Sequence, residues 1–307
     1  LIQQLLKAPV DLIWNGGIGT YVKASSETHA DVGDKANDAL RVNGRDLRCR
    51  VVGEGGNLGL TQLGRIEYCL HGGALNTDFI DNAGGVDCSD HEVNIKILLN
   101  EVVAAQDMTA KQRNRLLASM TDSVAELVLG NNYKQTQAIS LAQRQAAQTM
   151  GEYQRFISAM EGSGKLNRAL EFLPEDDQLA ERKASGKGLT RAELSVLISY
   201  SKADLKEALV ASDVPEDAYL ARELETAFPP VLLKSWRDAL GRHRLRREIV
   251  ATQLANNLVN HMGITFLRRL EQSTGAAAAD IARAWVVARD VFELQTHFAG
   301  IEALDYQ

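Results

Sequence analysis

Two kinds of cluster in this sequence could do chemistry. The first is a set of Asn/Gly turns: Asn15-Gly16-Gly17-Ile18-Gly19, Gly53-Glu54-Gly55-Gly56-Asn57 and Asp81-Asn82-Ala83-Gly84-Gly85. Glycine lets backbone amides approach a ligand closely. One such turn would be only a tight connection, but three in succession point to one binding crevice. The second cluster is Cys88-Ser89-Asp90-His91-Glu92, where thiol, imidazole and carboxylates crowd together. Zinc needs a second set of ligands, and Cys49, Cys69, His71 and His29 do not supply one at useful spacing, so no metal is expected. Ser89-Asp90-His91-Glu92 has the spacing of a capping box, which would make Ser89 the start of a long helix. A helix N-terminus there would also attract a substrate carboxylate. No Ser/His/Asp or Cys/His arrangement can be assembled from spacing alone.

The elements that must position the turns are short strands. Residues 10–14, 50–52 and 77–80 are β-branched or aromatic runs, each spilling into Asn/Gly. With helical spacers between them they predict part of a parallel, Rossmann-type sheet, whose ligands bind beyond the carboxyl ends of the strands. Neither residues 16–19 nor residues 53–59 fit GxGxxG, so the phosphate-gripping turn of a dinucleotide site is expected upstream. Ser25 or Ser26 is expected to cap a helix running to about Leu40, and Asn43-Gly44 to form a turn. Leu63, Ile66 and Leu70 predict a helix that starts after Thr61 and stops at Gly72-Gly73.

Near residue 90 the composition changes. Of 24 glycines, 14 lie in residues 1–90 and 10 in the remaining 217, so a turn-rich region gives way to a helical one. The expected domains are therefore residues 1–88, the C-terminal part of a nucleotide-binding sheet, and residues 89–307, a large helical domain. Thr109 to Gln112 and Thr190 to Glu193 have capping-box spacing. Leu116, Met120, Val124 and Leu127 read as one continuing helix. Breaks are expected at residues 162–164, 185–188 and 228–230, and again near Gly241, Gly263 and Gly275. Asn256, Asn257, Asn260 and His261 form a polar patch expected to pack on another helix.

At 307 residues, two domains are the default. Hydrophobic content of 45% and charged content of 24% are those of a soluble globular protein. A formal charge of −6 argues against a nucleic-acid or anionic-membrane partner, and the basic run at residues 242–247 reads as a solvated face. No apolar run reaches the length of a membrane span. Cys49, Cys69 and Cys88 lack framework spacing, so reduced thiols in a cytoplasmic protein are expected. The opening LIQQLLKAP reads as the tail of an amphipathic helix, which predicts a fragment of a longer chain.

The turns also carry a resemblance. Glu54-Gly55-Gly56-Asn57 resembles the Glu-Gly-Ala-Asn turn that follows a Val-Val strand in the glutamate dehydrogenase family. Asn82-Ala83-Gly84-Gly85-Val86 matches that family's Asn-Ala-Gly-Gly-Val, with Ser89 three residues on. Asp11-Leu12-Ile13-Trp14-Asn15-Gly16-Gly17 takes the place of a strand ending in Ile-Pro-Ala-Ala. Residues 14–23, 81–94 and 191–202 are similar to the large-subunit bacterial NAD-specific enzymes, so the resemblance covers essentially the whole chain. It implies NAD as cofactor and oxidative deamination of L-glutamate to 2-oxoglutarate and ammonia. Gly16 and Gly17 would line the adenosine side of the crevice, Asn57 the nicotinamide ribose, Asn82 the carboxamide region, and Ser89 the side-chain carboxylate of glutamate. The family's catalytic Lys and Asp have no counterpart in residues 1–307, so the chain alone is expected to be inactive, and the full-length protein to be a homo-oligomer. Leu58-Gly59-Leu60-Thr61 departs from the family's Pro-Thr-Thr. The competing class is a non-catalytic helical assembly or regulatory module.

Overall fold

The computed structural model describes residues 1–304. Contacts divide the chain into two units: Leu1–Asp90 with Ala125–Tyr200, and His91–Val124 with the chain from Ser201 onward. The first crossing falls between Asp90 and His91. The helical residues 125–200, however, join the turn-rich region rather than the rest of the helical part.

In the first unit, β1 (Leu12–Asn15) pairs in parallel with β4 (Val51–Glu54), Leu12 facing Val51 and Asn15 facing Glu54. A second parallel pair, β2 (Val22–Lys23) with β3 (Val42–Asn43), is only two residues long and was not expected. Parallel strands need a covered face. Here Val22, Val42, Val52 and Leu60 pack with Ile66 and Tyr68 of the helix Gln62–Leu70, and Ala192 joins the same core. That helix begins where expected: Thr61 Oγ1 accepts the Gly64 N–H at 3.0 Å. The Tyr68 hydroxyl donates to the Cys49 carbonyl at 3.0 Å, which ties the helix under the strands.

The regular elements among the second unit's described residues are all helices. Thr109 and Gln112 form the expected capping box of the helix Ala110–Ala118. Pro230 opens the helix Pro230–Gly241 at a position where its missing N–H costs nothing. The patch on the helix Arg246–Met262 packs as expected: Trp285 Nε1 donates to Asn257 Oδ1 at 3.0 Å, and His261 stacks on Phe298 at 4.6 Å. In the basic run Arg244 pairs with Glu101 at 2.6 Å and Arg247 with Glu216. All strands of the described residues lie between Leu12 and Glu54, and none of their helices is long and apolar enough to cross a membrane.

Four expectations are overturned. Residues 77–80 are not a strand: Asp78–Asp81 is a helical turn, and the Asn82 to Gly85 segment runs straight into the helix Ala83–Ala104. Asp78 and Asp81, three apart, can aim both carboxylates to one side of a helix, whereas a strand would send them to opposite faces. Both are needed on that side, as shown below. Ser89 consequently lies inside the long helix and is not its cap; its Oγ donates back to the Gly85 carbonyl at 3.2 Å. Ser25 and Ser26 start no helix either. Thr28 caps a single turn, His29–Val32, that Gly33 ends at φ 74°, while Ser25 is tied to the Glu67 carboxylate. The stretch through Leu116 and Leu127 is broken at Ser119, whose Oγ donates to the Leu116 carbonyl at 2.8 Å, between the helices Ala110–Ala118 and Thr121–Gln145.

Candidate functional site

Two of the three Asn/Gly turns leave the carboxyl ends of β1 and β4 side by side. The Asn15 carbonyl accepts from the Gly55 N–H at 2.8 Å and from the Gly56 N–H at 3.0 Å, so the ladder continues past the strands. A β-carbon on Gly56 would overlap the Gly17 carbonyl oxygen, so the turns meet backbone to backbone. The third segment arrives at the head of the helix Ala83–Ala104, where Asn82 Nδ2 donates to Asn57 Oδ1 at 2.5 Å. The structure therefore brings Asn57 against Asn82, and sets Gly16 and Gly17 beside Gly56. Space opens around Gly17, where an added β-carbon would meet nothing within 4 Å. On another side, against Gly59, Asn15 Nδ2 is buried without a partner, and a β-carbon at residue 59 would overlap it. Ser89 is exposed and lies seven residues after Asn82, inside the second turn of the helix Ala83–Ala104.

Gly53 of β4 and Gly55 just past the strand serve packing. Trp14, opposite Gly53 in the register, spreads its indole over both Gly53 and Gly55. A β-carbon would come within 2.6 Å of Trp14 Cε3 at residue 53 and within 2.7 Å of Cζ2 at residue 55. The outer face of the indole remains open, leaving Trp14 61% exposed.

Behind the turns lies a network of charge that spacing did not reveal. Glu54, fully buried, accepts from Arg65 Nε at 2.7 Å and Nη2 at 2.9 Å, and from the Leu60 N–H at 3.1 Å. Arg65 also reaches Asp78 Oδ1 at 3.3 Å. Asp78 Oδ2 accepts the Leu58 N–H at 2.8 Å, and Asp81 Oδ2 the Glu54 N–H at 3.0 Å. Those two bonds are what the helical turn at residues 78–81 supplies. Burial pushes the Glu54 carboxyl above its ordinary range, against the opposing pull of Arg65 and helped by the Asp78 charge. Burial likewise raises Asp81. Asn76 Nδ2 donates to Asp81 Oδ1 at 2.7 Å, and Arg191 Nε to Asn76 Oδ1 at 3.0 Å. Arg191 opens the helix Arg191–Val210, whose capping box is made by Thr190 and Glu193.

Leu58 follows Asn57 with φ 58°, a left-handed conformation that costs a leucine about 1–2 kcal/mol. Nothing in the residue types Leu-Gly-Leu signalled it. In the Cys88 to Glu92 stretch the helix spreads the side chains apart: Cys88 is exposed, while His91 is buried with Nδ1 3.0 Å from the Ala227 carbonyl.

A parallel strand pair that delivers two Asn/Gly turns and an asparagine-headed helix to one point forms an α/β region, joined here to helical segments. Comparison with known proteins is specific. Residues 1–142 match the model of the bacterial NAD-glutamate dehydrogenase catalytic domain, and residues 186–307 that of the glutamate dehydrogenase C-terminal region. The NAD-specific glutamate dehydrogenase of Pseudomonas aeruginosa is 71% identical over the whole chain, and that of Halomonas elongata 62% over 99% of it. The Mycobacterium tuberculosis protein of the same name is 46% identical over 95%. The chain belongs to the family of bacterial NAD-specific glutamate dehydrogenases. It spans 19% of the length of the first two relatives and 18% of the third.

Proposed function

We propose that this chain supplies part of the cofactor crevice of an NAD-dependent glutamate dehydrogenase, together with helical segments that scaffold it. The observation that carries this reading is the meeting of Gly16, Gly17, Asn57 and Asn82 at the carboxyl ends of two parallel strands. On this reading β1 and β4 are neighbours in a larger Rossmann-type sheet. The names of the relatives support it.

The residues suit a dinucleotide. Gly17 leaves room for close approach. Asn57 and Asn82 offer uncharged donors and acceptors of the kind that ribose hydroxyls and a carboxamide require. NAD, when bound, takes up the hydride from the α-carbon of glutamate. The Asn57–Asn82 pair orients the ring end of the crevice, and Gly16 with Gly17 accommodate the adenosine side. Ser89, exposed on the helix that follows Asn82, contacts the distal carboxylate of glutamate on this reading. No residue of this chain is assigned a proton transfer, so the chain alone should give no glutamate-dependent NADH. The reading places the enzyme among soluble cytoplasmic oxidoreductases that work as homo-oligomers.

The test is Asn57→Ala and Asn82→Ala in the full-length enzyme. Each should raise the KM for NAD by about tenfold or more, the equivalent of one or two lost hydrogen bonds, and change the KM for glutamate less. An unchanged KM for NAD in both variants would overturn the assignment.

A further inference from the structure

Four non-glycine residues among those described hold positive φ, and Leu58 is the one inside the crevice turns. Both peptide groups that flank it are gripped. Asp78 Oδ2 accepts the Leu58 N–H at 2.8 Å, and Thr20 Oγ1 donates to the Leu58 carbonyl at 2.7 Å. We propose that Asp78 and Thr20 are positioning residues of the cofactor crevice, holding Leu58 at positive φ and thereby setting Asn57 against Asn82. This deepens the NAD reading above and rests on it.

Peptide groups are planar, so fixing the planes before and after a residue fixes its φ and ψ. The plane before Leu58 also carries the Asn57 carbonyl and Cα, so the clamp sets the base from which the Asn57 side chain reaches Asn82. Neither jaw is free to drift. Asp78 Oδ1 accepts the Phe79 N–H at 2.9 Å and meets Arg65, itself bidentate on buried Glu54. The Thr20 N–H donates to Asp34 Oδ2 at 2.8 Å. A leucine released from this grip returns to negative φ, and Asn57 leaves its partner. Glycine would reach the same conformation without steric cost, so it needs the grip less. The clamp thus keeps the binding-competent turn populated, and its loss divides the apparent cofactor affinity by the fraction that stays competent.

The experiment uses the full-length enzyme with Thr20→Val and Asp78→Asn, each alone and each combined with Leu58→Gly. In Asp78→Asn the carboxamide cannot accept from the Leu58 N–H and also face Arg65 as the carboxylate does. Each single variant should raise the KM for NAD about tenfold while kcat changes little, because the bound enzyme is already in the competent form. Adding Leu58→Gly should bring the KM back toward wild type. A merely destabilising change would lower the melting temperature and the active fraction, leave the KM alone, and gain nothing from glycine; that pattern overturns the proposal. So does an unchanged KM in Thr20→Val, the variant that disturbs folding less, when Asn57→Ala does raise it. If Asn57→Ala and Asn82→Ala leave the KM unchanged too, the NAD reading itself falls, and this proposal with it.

Discussion

Trp14 lies flat on the backbone of Gly53, its Cε3 and Cζ3 atoms 2.6 and 2.7 Å from where a β-carbon would sit. Strand register makes the pair, because Trp14 and Gly53 face each other across β1 and β4. Gly53→Ala in the full-length protein should therefore cost about 1–3 kcal/mol, the range for overpacking a filled site. Trp14→Ala should abolish most of that cost, so a double-mutant cycle should show coupling of about 1 kcal/mol or more. Additive losses in urea unfolding would mean that the indole is not what excludes a side chain at residue 53.

Gly17 and Gly56 face each other, yet substitutions there should behave differently. Gly56→Ala drives a methyl into the Gly17 carbonyl, backbone against side chain with nothing flexible to yield, and should lower the melting temperature. Gly17→Ala meets open space. Stability should be kept, and if the cofactor uses that space the KM for NAD should rise. Equal thermal losses in the two variants would show that the space beside Gly17 is filled in the full-length enzyme.

Ser89 inside a helix makes a different demand from Ser89 at its start. As a cap, its replacement by alanine would cost about 1 kcal/mol. Bonded only to the Gly85 carbonyl one turn back, it should be replaced by alanine with unchanged or slightly raised stability, by up to about 0.5 kcal/mol. The substrate role is separable. Ser89→Asp in the full-length enzyme should raise the KM for glutamate far more than that for NAD, since the new carboxylate repels the substrate's own. Unaltered glutamate kinetics would remove Ser89 from the site.

The cysteines should separate by pH. Burial pushes the Cys69 thiol up to about 11, so below that pH it is protonated and a poor nucleophile. Cys88 is exposed and Cys49 buried. Alkylation of this chain at pH 8, mapped by mass spectrometry, should mark Cys88 first. The Cys69 rate should climb about tenfold per pH unit until it levels near 11. Faster labelling of Cys69 than Cys88 at pH 8 would contradict its burial.

What could be read in the sequence is what depends on neighbours along the chain. The β-branched runs of β1 and β4, the glycine stop after Leu70 and the boxes at Thr109 and Thr190 are local, and each is found where expected. Phe79-Ile80 misled because its residue types suit a strand; the three-residue spacing of Asp78 and Asp81, a helical interval, was the better signal. Ser89 was misplaced for the same reason, since the true helix start came earlier. The purpose of Gly53 and Gly55 was hidden because it depends on which residue of a distant strand lies opposite. The clamp on Leu58 draws on Thr20 and Asp78, 38 and 20 residues away, and no local pattern encodes either.

The hydrogen bond from Arg191 to Asn76 spans 115 residues. At synthesis rates of about 5–20 residues per second, Arg191 leaves the ribosome roughly 6–23 seconds after Asn76. Throughout that interval Asn76, and through it Asp81, must wait without the guanidinium that braces them. The brace behind Asn76 is therefore added late, by a helix encoded far downstream, and a ribosome that stalls before the Arg191 codon leaves Asp81 held only by Asn76 and the Glu54 N–H.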